Sequence, residues 1–96
     1  MHDGTIQQGD SWLQTHLLAY VNRAMTNNSL LIVTFDEDQG ISANHIATIF
    51  VGPRVKPGKY GEKINHYNVL RTIEDMYGLG YLGSSAGATP IKDVWQ

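Results

Sequence analysis

Residues 30–38 read LLIVTFDED, an apolar run that ends in three consecutive carboxylates. A run without alternating polar residues is typical of a strand buried on both faces, the kind found inside a parallel sheet. In open α/β sheets the carboxyl ends of the strands form the ligand crevice, and unpaired carboxylates that are buried there cost free energy. A metal ion or a cationic ligand would account for acidic residues at this place. A solvated turn is the alternative, because Asp, Gln and Gly are ordinary turn residues.

The composition is that of an ordinary folded protein, with 42% hydrophobic and 17% charged residues. A length of 96 residues allows one small domain at most, or a piece of a larger one. The net charge of -2 provides no overall basic field for nucleic acid or an anionic membrane. The absence of cysteine excludes disulfides and thiolate metal sites. No apolar stretch is long enough to span a bilayer, and no signal peptide is visible, which leaves the compartment undetermined.

A first helix is predicted to begin near Asp10 or Ser11, because Ser11 and Gln14 fit a capping box. The polar residues 27–29 are expected to end it. Its apolar stripe has a four-residue spacing and consists of Leu13, Leu17 and Val21. The first strand is then predicted over residues 30–36.

A second strand is predicted over residues 46–51 and a second helix over about 67–77, with Gly78 as its terminator. Val69, Ile73 and Tyr77 form the apolar stripe of this helix. The resulting order is helix, strand, strand, helix. Two strands are too few for a parallel sheet that buries both faces. Residues 1–96 are therefore predicted to be a single partial domain of the α/β class, whose sheet is covered by further polypeptide or by self-association.

Asp36 and Glu37 are the candidate metal ligands. Adjacent residues of a regular strand point in opposite directions, but a bend at the strand end lets both carboxylates converge on one ion. Hard divalent cations prefer such oxygen ligands, and zinc accepts them beside imidazole. Asp38 is a candidate for orienting these ligands. An EF-hand loop is excluded, because its sixth and twelfth positions would be Ile41 and Ala47.

The histidines have different prospects. His16 lies within the first predicted helix beside apolar residues, which favours a structural or surface role. His2, His45 and His66 can each supply general acid–base chemistry, since imidazole titrates near neutrality. The alternatives are a tail position for His2, a solvent-facing position for His45 and a helix-capping position for His66. The basic residues within 54–63 would meet an anionic substrate or lie in a solvated loop.

Five ordered blocks carry a family resemblance that extends across nearly the whole chain. They are MHDGTI at 1–6, GDSWL at 9–13, NNSLLIVTFDED at 27–38, TIFVGP at 48–53 and NHYNVLRTIEDMYGL at 65–79. Together they resemble the C-terminal part of the phosphoesterase family that contains bacterial phospholipases C and the related acid phosphatases. The acid phosphatase branch is the more similar one.

The resemblance implies the alkaline-phosphatase-like fold, a three-layer α/β sandwich, and hydrolysis of phosphate esters. In that family a Ser or Thr nucleophile attacks beside a bound divalent metal, and water then releases the phosphate from the enzyme. The family's late acidic metal ligands fall on Asp36 and Glu37. The His of its first block falls on His2, which implies protonation of the leaving group, and His66 matches the His before the second helix. His45 stands where relatives often carry Arg, so the resemblance gives it no role.

The family's early Glu-Asn metal ligands and its nucleophile segment have no counterpart in these residues. The sequence therefore predicts the C-terminal segment of a metal-dependent phosphoesterase, inactive alone, with a phosphate ester as substrate. A non-enzymatic module for oligomerisation or binding, left after loss of the catalytic half, is the alternative, and a truncated gene or a misassigned start codon is a third. Family members are often secreted or periplasmic.

Overall fold

The structure is a computed structural model that describes residues 3–38, 40 and 43–96. Its elements are helix α1 (Ile6–Thr26), strand β1 (Leu31–Thr34), strand β2 (Thr48–Val51), helix α2 (His66–Tyr77) and a short 3-10 helix (Gly83–Gly87). The predicted order of helix, strand, strand and helix is confirmed, and the chain is of the mixed α/β class. The chain forms two compact units, the N-terminal unit Met1–Val55 and the C-terminal unit Lys56–Gln96. That residues 1–96 form a single partial domain stays a prediction.

Helix α1 begins earlier than the sequence analysis predicts. Thr5 is its N-cap, and the Thr5 hydroxyl accepts a hydrogen bond from the Gln8 N–H (3.1 Å). The Gln8 side chain accepts from the Thr5 N–H in return (2.7 Å). The predicted capping box of Ser11 and Gln14 is wrong, because the same spacing occurs six residues earlier and places both residues inside the helix. The helix ends at Thr26, as the polar residues after it predict.

The two strands of the N-terminal unit pair antiparallel, with Leu31 opposite Val51 and Thr34 opposite Thr48. The expectation of parallel-sheet strands is therefore wrong for this pair. A parallel return needs a crossover connection, usually a helix, and the described residues between the two strands contain no helix. Both strands are shorter than predicted. The Thr34 and Thr48 hydroxyls lie 3.0 Å apart at the end where β1 leads into the carboxylates.

Helix α1 packs on this two-stranded sheet along the middle of its apolar side. Ala24 is buried, and Leu17 and Val21 are half-buried. These residues recur at four- and three-residue spacings, which places them on one face. Leu13, also predicted for this stripe, is exposed. The helix thus follows its predicted face only over its second half.

Helix α2 carries the fold of the C-terminal unit. Asn65 is its N-cap, and Gly78 ends it in the left-handed conformation (φ 62°), as the sequence predicts. Its buried residues are Val69, Thr72 and Glu74. The predicted stripe is therefore only partly correct, because Tyr77 is 76% exposed. Two polar side chains occupy positions that a purely apolar face would reserve for aliphatic residues.

Residues 82–96 fold back along α2 although they contain no long helix or strand. Ile91 and Val94 are buried and, with Val69, form the apolar core of the C-terminal unit. The Trp95 indole N–H donates to the Ile91 carbonyl (2.8 Å), and the Val94 carbonyl accepts from the Lys56 N–H (2.8 Å). Among the described residues, neither long helix is apolar enough over a sufficient length to cross a bilayer.

Candidate active site

The acidic pair Asp36–Glu37 lies just beyond the last residue of β1. Both side chains are exposed in the N-terminal unit. The Glu37 N–H donates to Asp36 Oδ1 (3.0 Å), so the chain bends at this point and does not continue as extended strand. A bend of this kind removes the strict alternation of side-chain directions. The carboxylates are therefore accessible to a cation at a well-defined strand end.

A clamp of two hydrogen bonds joins Asp38 to Asn44 beyond the acidic pair. Asp38 Oδ2 accepts from the Asn44 N–H (2.9 Å), and Asn44 Oδ1 accepts from the Asp38 N–H (3.0 Å). Asp38 Oδ1 also accepts from the Gly40 N–H (2.6 Å). Ala43 and Asn44 have positive φ angles of 54° and 58°, which this clamp stabilises. Asp38 thus orders the backbone around its neighbours, and Asn44 is a partner that sequence analysis missed.

The residues that could provide acid–base chemistry lie in different parts of the chain. His66 is the first residue of α2 and is exposed, and the capping position that was one alternative for it is taken by Asn65. His45 is exposed before β2. His16 is exposed on α1, where its Nδ1 donates to the Trp12 carbonyl (2.8 Å) and its ring stacks on the Trp12 ring with centroids 4.3 Å apart. His2 lies outside the described residues.

The donor chemistry of the acidic pair fits a hard divalent cation only as part of a ligand set. Carboxylate oxygens are suitable ligands for such ions. Within the described ranges, however, no three His, Asp or Glu side chains lie close enough together to hold a metal ion. Asp36 and Glu37 would therefore hold a metal only with ligands from elsewhere. Metal binding by this pair stays a prediction.

The C-terminal unit contains a polar network that sequence analysis did not predict. Arg71 Nη1 donates to the carbonyls of Ala86 and Ala88 (both 3.0 Å), and its Nε donates to Asp75 (3.3 Å). The guanidinium also lies 3.7 Å from the centre of the Tyr81 ring. These contacts all lie within the C-terminal unit, so the Arg71 side chain stabilises the packing of that unit.

Comparison with known proteins shows similarity to the phosphoesterase family and to two named phosphatases. The profile of the Phosphoesterase family matches residues 1–80. The chain is 59% identical over 95 residues to a phosphatidylinositol-3-phosphatase of Mycobacterium tuberculosis, a match that covers 99% of this chain and 32% of that protein. It is 28% identical over 100 residues to an acid phosphatase of Aspergillus fumigatus, covering 97% of this chain and 22% of that protein. The chain thus spans a third or less of each relative's length. No solved structure gives a significant match.

Proposed function

The chain belongs to the phosphoesterase family, and we propose that it forms the C-terminal segment of an enzyme that hydrolyses phosphate esters. The observation that carries this proposal is the family match over residues 1–80, which includes both acidic residues and His66. Both relatives are named as phosphatases. We therefore propose a phosphate monoester as the substrate, and not the diester that a phospholipase C cleaves.

The substrate class can be narrowed through the mycobacterial relative. That protein is named for its action on a phosphoinositide and is 59% identical to this chain. We propose that the completed enzyme removes a phosphate from a similar lipid headgroup. Exposed lysines within residues 56–63 of the C-terminal unit offer charges that such a headgroup would attract.

Four residues are proposed to take part in the reaction. Asp36 and Glu37 would supply carboxylate ligands to a divalent metal. When bound, the metal would stabilise negative charge on the phosphoryl oxygens. His66 and His2 would move protons, with His2 protonating the leaving group. The exposure of Asp36, Glu37 and His66 leaves them accessible to a substrate.

The segment is proposed to be inactive alone. Its acidic pair has no further metal-ligating groups gathered around it within the described residues. The sequence also lacks a block that matches the family's nucleophile segment. Both would have to come from polypeptide that corresponds to the remaining two thirds of the mycobacterial relative, of which this chain covers 32%.

A segment-replacement chimera tests this function. The 95 residues of the mycobacterial phosphatase that match this chain are exchanged for the chain itself. The chimera is expected to hydrolyse p-nitrophenyl phosphate and phosphatidylinositol 3-phosphate, whereas the 96-residue chain is expected to hydrolyse neither. Asp36→Asn and Glu37→Gln should each lower kcat/KM by about 100-fold or more, because loss of even an outer metal contact costs 10- to 100-fold.

Asp10→Asn is the matched control, since Asp10 is an exposed carboxylate on α1. It should leave the turnover of the chimera unchanged. An Asp36→Asn chimera as active as the parent chimera would refute the proposed role of the pair. Turnover by the purified chain alone, abolished by Asp36→Ala, would refute its proposed inactivity.

The non-enzymatic alternative is favoured by one observation, the large number of exposed apolar side chains. On α1 these include Trp12, Leu18 and Met25. A module kept for assembly would cover them in a defined oligomer. Its thermal stability would not depend on metal, whereas a metal that binds the folded state raises the melting temperature.

A further inference from the structure

His66 lies between two asparagines that cap the start of α2. Asn65 Oδ1 accepts from the N–H groups of Tyr67 (2.9 Å) and Asn68 (3.3 Å). Asn68 Oδ1 accepts from the Asn65 N–H (2.7 Å), which completes a capping box. A helix start without such partners leaves backbone donors unpaired and frays. The backbone on both sides of the first helical residue, His66, is thus ordered by hydrogen bonds that its neighbours make.

The carboxamide of Asn68 is itself held in place by the C-terminal segment. Its Nδ2 donates to the Thr89 carbonyl (2.9 Å). One turn further along α2, the Thr72 hydroxyl accepts from the Ile91 N–H (2.8 Å). Helix positions four apart are separated by about 6 Å, close to the 6.4–6.8 Å between alternate residues of an extended chain. Asn68 and Thr72 therefore match residues 89 and 91 in register.

We propose that Asn68 is a positioning residue for His66. Its donor side is anchored on Thr89, which aims its acceptor side at the Asn65 N–H and so fixes the first turn of α2. Asparagine suits this role because its amide carries both a donor and an acceptor at the same distance from the backbone. The inference rests on the proposed function, in which the His66 imidazole moves a proton and needs a fixed position relative to the substrate.

The proposal also explains the polar character of this side of α2. Thr72 donates to the Asn68 carbonyl (2.7 Å) while it accepts from Ile91. Thr72 is 4% exposed, so both hydrogen bonds of its hydroxyl are protected from water. The segment around Thr89 is thereby held in place by a second contact, independent of the Asn68 side chain. The two contacts can be removed separately.

Nuclear magnetic resonance on the 96-residue chain tests this positioning. In the wild type, the His66 side chain should occupy one χ1 rotamer, and the Asn65 amide should exchange at least about 10-fold more slowly than in an unstructured peptide. In Asn68→Ala, the scalar couplings that report χ1 of His66 should be averaged over several rotamers. The Asn65 amide should exchange at least about 10-fold faster than in the wild type. Asn68→Asp keeps the acceptor but removes the donor to Thr89. It should therefore also give rotamer-averaged His66 couplings, because the contact that aims the acceptor is lost.

Thr72→Val is the matched control, because it removes the contact with Ile91 and leaves the capping box intact. It should shift the signals of residues 89–91 and leave the His66 couplings unchanged. The proposal is overturned if Asn68→Ala leaves the His66 couplings unchanged, if Asn68→Asp keeps the wild-type couplings, or if Thr72→Val disturbs the couplings as much as Asn68→Ala does. Rotamer-averaged His66 couplings in the wild type would also overturn the proposal. The proposal can therefore be tested even if the Asn68→Ala variant does not fold.

Kinetics of the chimera separate this inference from the proposed function. His66→Ala should lower kcat by at least about 100-fold, the usual contribution of a general acid or base. Asn68→Ala should lower kcat by about 10-fold with KM unchanged, and an effect on KM alone would overturn the positioning role. Unchanged turnover after His66→Ala would refute the catalytic role of His66, a result independent of the couplings measured in the chain.

Discussion

A buried carboxylate, Glu74, joins helix α2 to the 3-10 helix of the C-terminal unit. The residue is 2% exposed. Its Oε1 accepts from the Leu82 N–H (2.9 Å), and its Oε2 accepts from the Ser85 hydroxyl (2.7 Å). A buried polar group is tolerated only when hydrogen bonds replace its lost hydration. Glu74 meets this condition and thereby fixes the conformation of residues 82–85.

Removing this carboxylate should destabilise the chain. Glu74→Ala leaves the Leu82 N–H and the buried Ser85 hydroxyl without this acceptor, and should lower the free energy of unfolding by about 2–3 kcal/mol. Urea denaturation followed by circular dichroism measures the change. Asp93→Ala, at an exposed carboxylate of the same unit, should change stability by less than about 0.5 kcal/mol. Equal effects of the two substitutions would contradict the role assigned to Glu74.

At the scale of elements, signals in the local sequence predict α2 well and α1 less well. Gly78 ends α2 as predicted, because a left-handed glycine is a local feature. The N-cap is Asn65 and not His66, the residue that the sequence analysis considered for capping. The start of α1 is ambiguous, since Thr5–Gln8 and Ser11–Gln14 share one spacing. A capping pattern shows where a helix can begin, but it does not show that an earlier cap also forms.

The fold of residues 82–91 could not be predicted from periodicity. This segment is held by side chains of α2 that bind its backbone, and such contacts impose no repeating pattern on its own sequence. The antiparallel pairing of the strands was missed for a related reason. An apolar run indicates burial, but the direction of its neighbour depends on the path of the connecting chain.

Arg71 provides the test at this scale, because one side chain binds carbonyls on both sides of the end of the 3-10 helix. Arg71→Lys keeps the charge but loses the planar fork and the stacking on Tyr81. We expect a loss of about 1–2 kcal/mol in the free energy of unfolding and faster amide exchange in residues 85–88. Arg23→Lys, on the exposed surface of α1, is the control and should have no such effect. Unchanged exchange in Arg71→Lys would contradict this assignment.

At the scale of the whole molecule, helix α1 has a wider apolar side than its sheet covers. Leu18 is 49% exposed and Met25 is 48% exposed on one flank of the face that packs on the strands. Leu13 and Tyr20 are exposed on the other flank. Large contiguous apolar surfaces are unusual on monomeric proteins. We propose that further polypeptide covers these flanks, which would account for the apolar residues of α1 beyond its contact with the sheet.

The isolated chain is accordingly expected to self-associate. Sedimentation velocity should show a mean mass that rises with concentration, and Leu18→Glu should reduce it because a charge on the flank opposes burial. Ala19→Glu is the control, since Ala19 is exposed on the opposite side of α1 and should not change association. A monomeric wild-type chain at all concentrations, or equal effects of both substitutions, would contradict this expectation. A single defined oligomer would favour the non-enzymatic alternative.

The resemblance of the ordered sequence blocks identified the family, and the match over residues 1–80 confirms it. The superfamily sandwich was inferred from that resemblance alone and stays a prediction. For the candidate site, the sequence predicts which residues take part but not how they are arranged. Their arrangement depends on parts of the relatives that this chain does not span. Local structure accounts for the accessible acidic pair and for the clamp made by Asp38 and Asn44.

The metal content of the chimera tests the central claim most directly. After dialysis against metal-free buffer, inductively coupled plasma mass spectrometry should find bound divalent metal in the parent chimera. Chelation should abolish turnover of the chimera until the metal is restored. The doubly substituted chimera, Asp36→Asn with Glu37→Gln, should contain less metal by at least one ion per protein. If the folded double variant keeps as much metal as its parent, these carboxylates are not ligands and the account is contradicted.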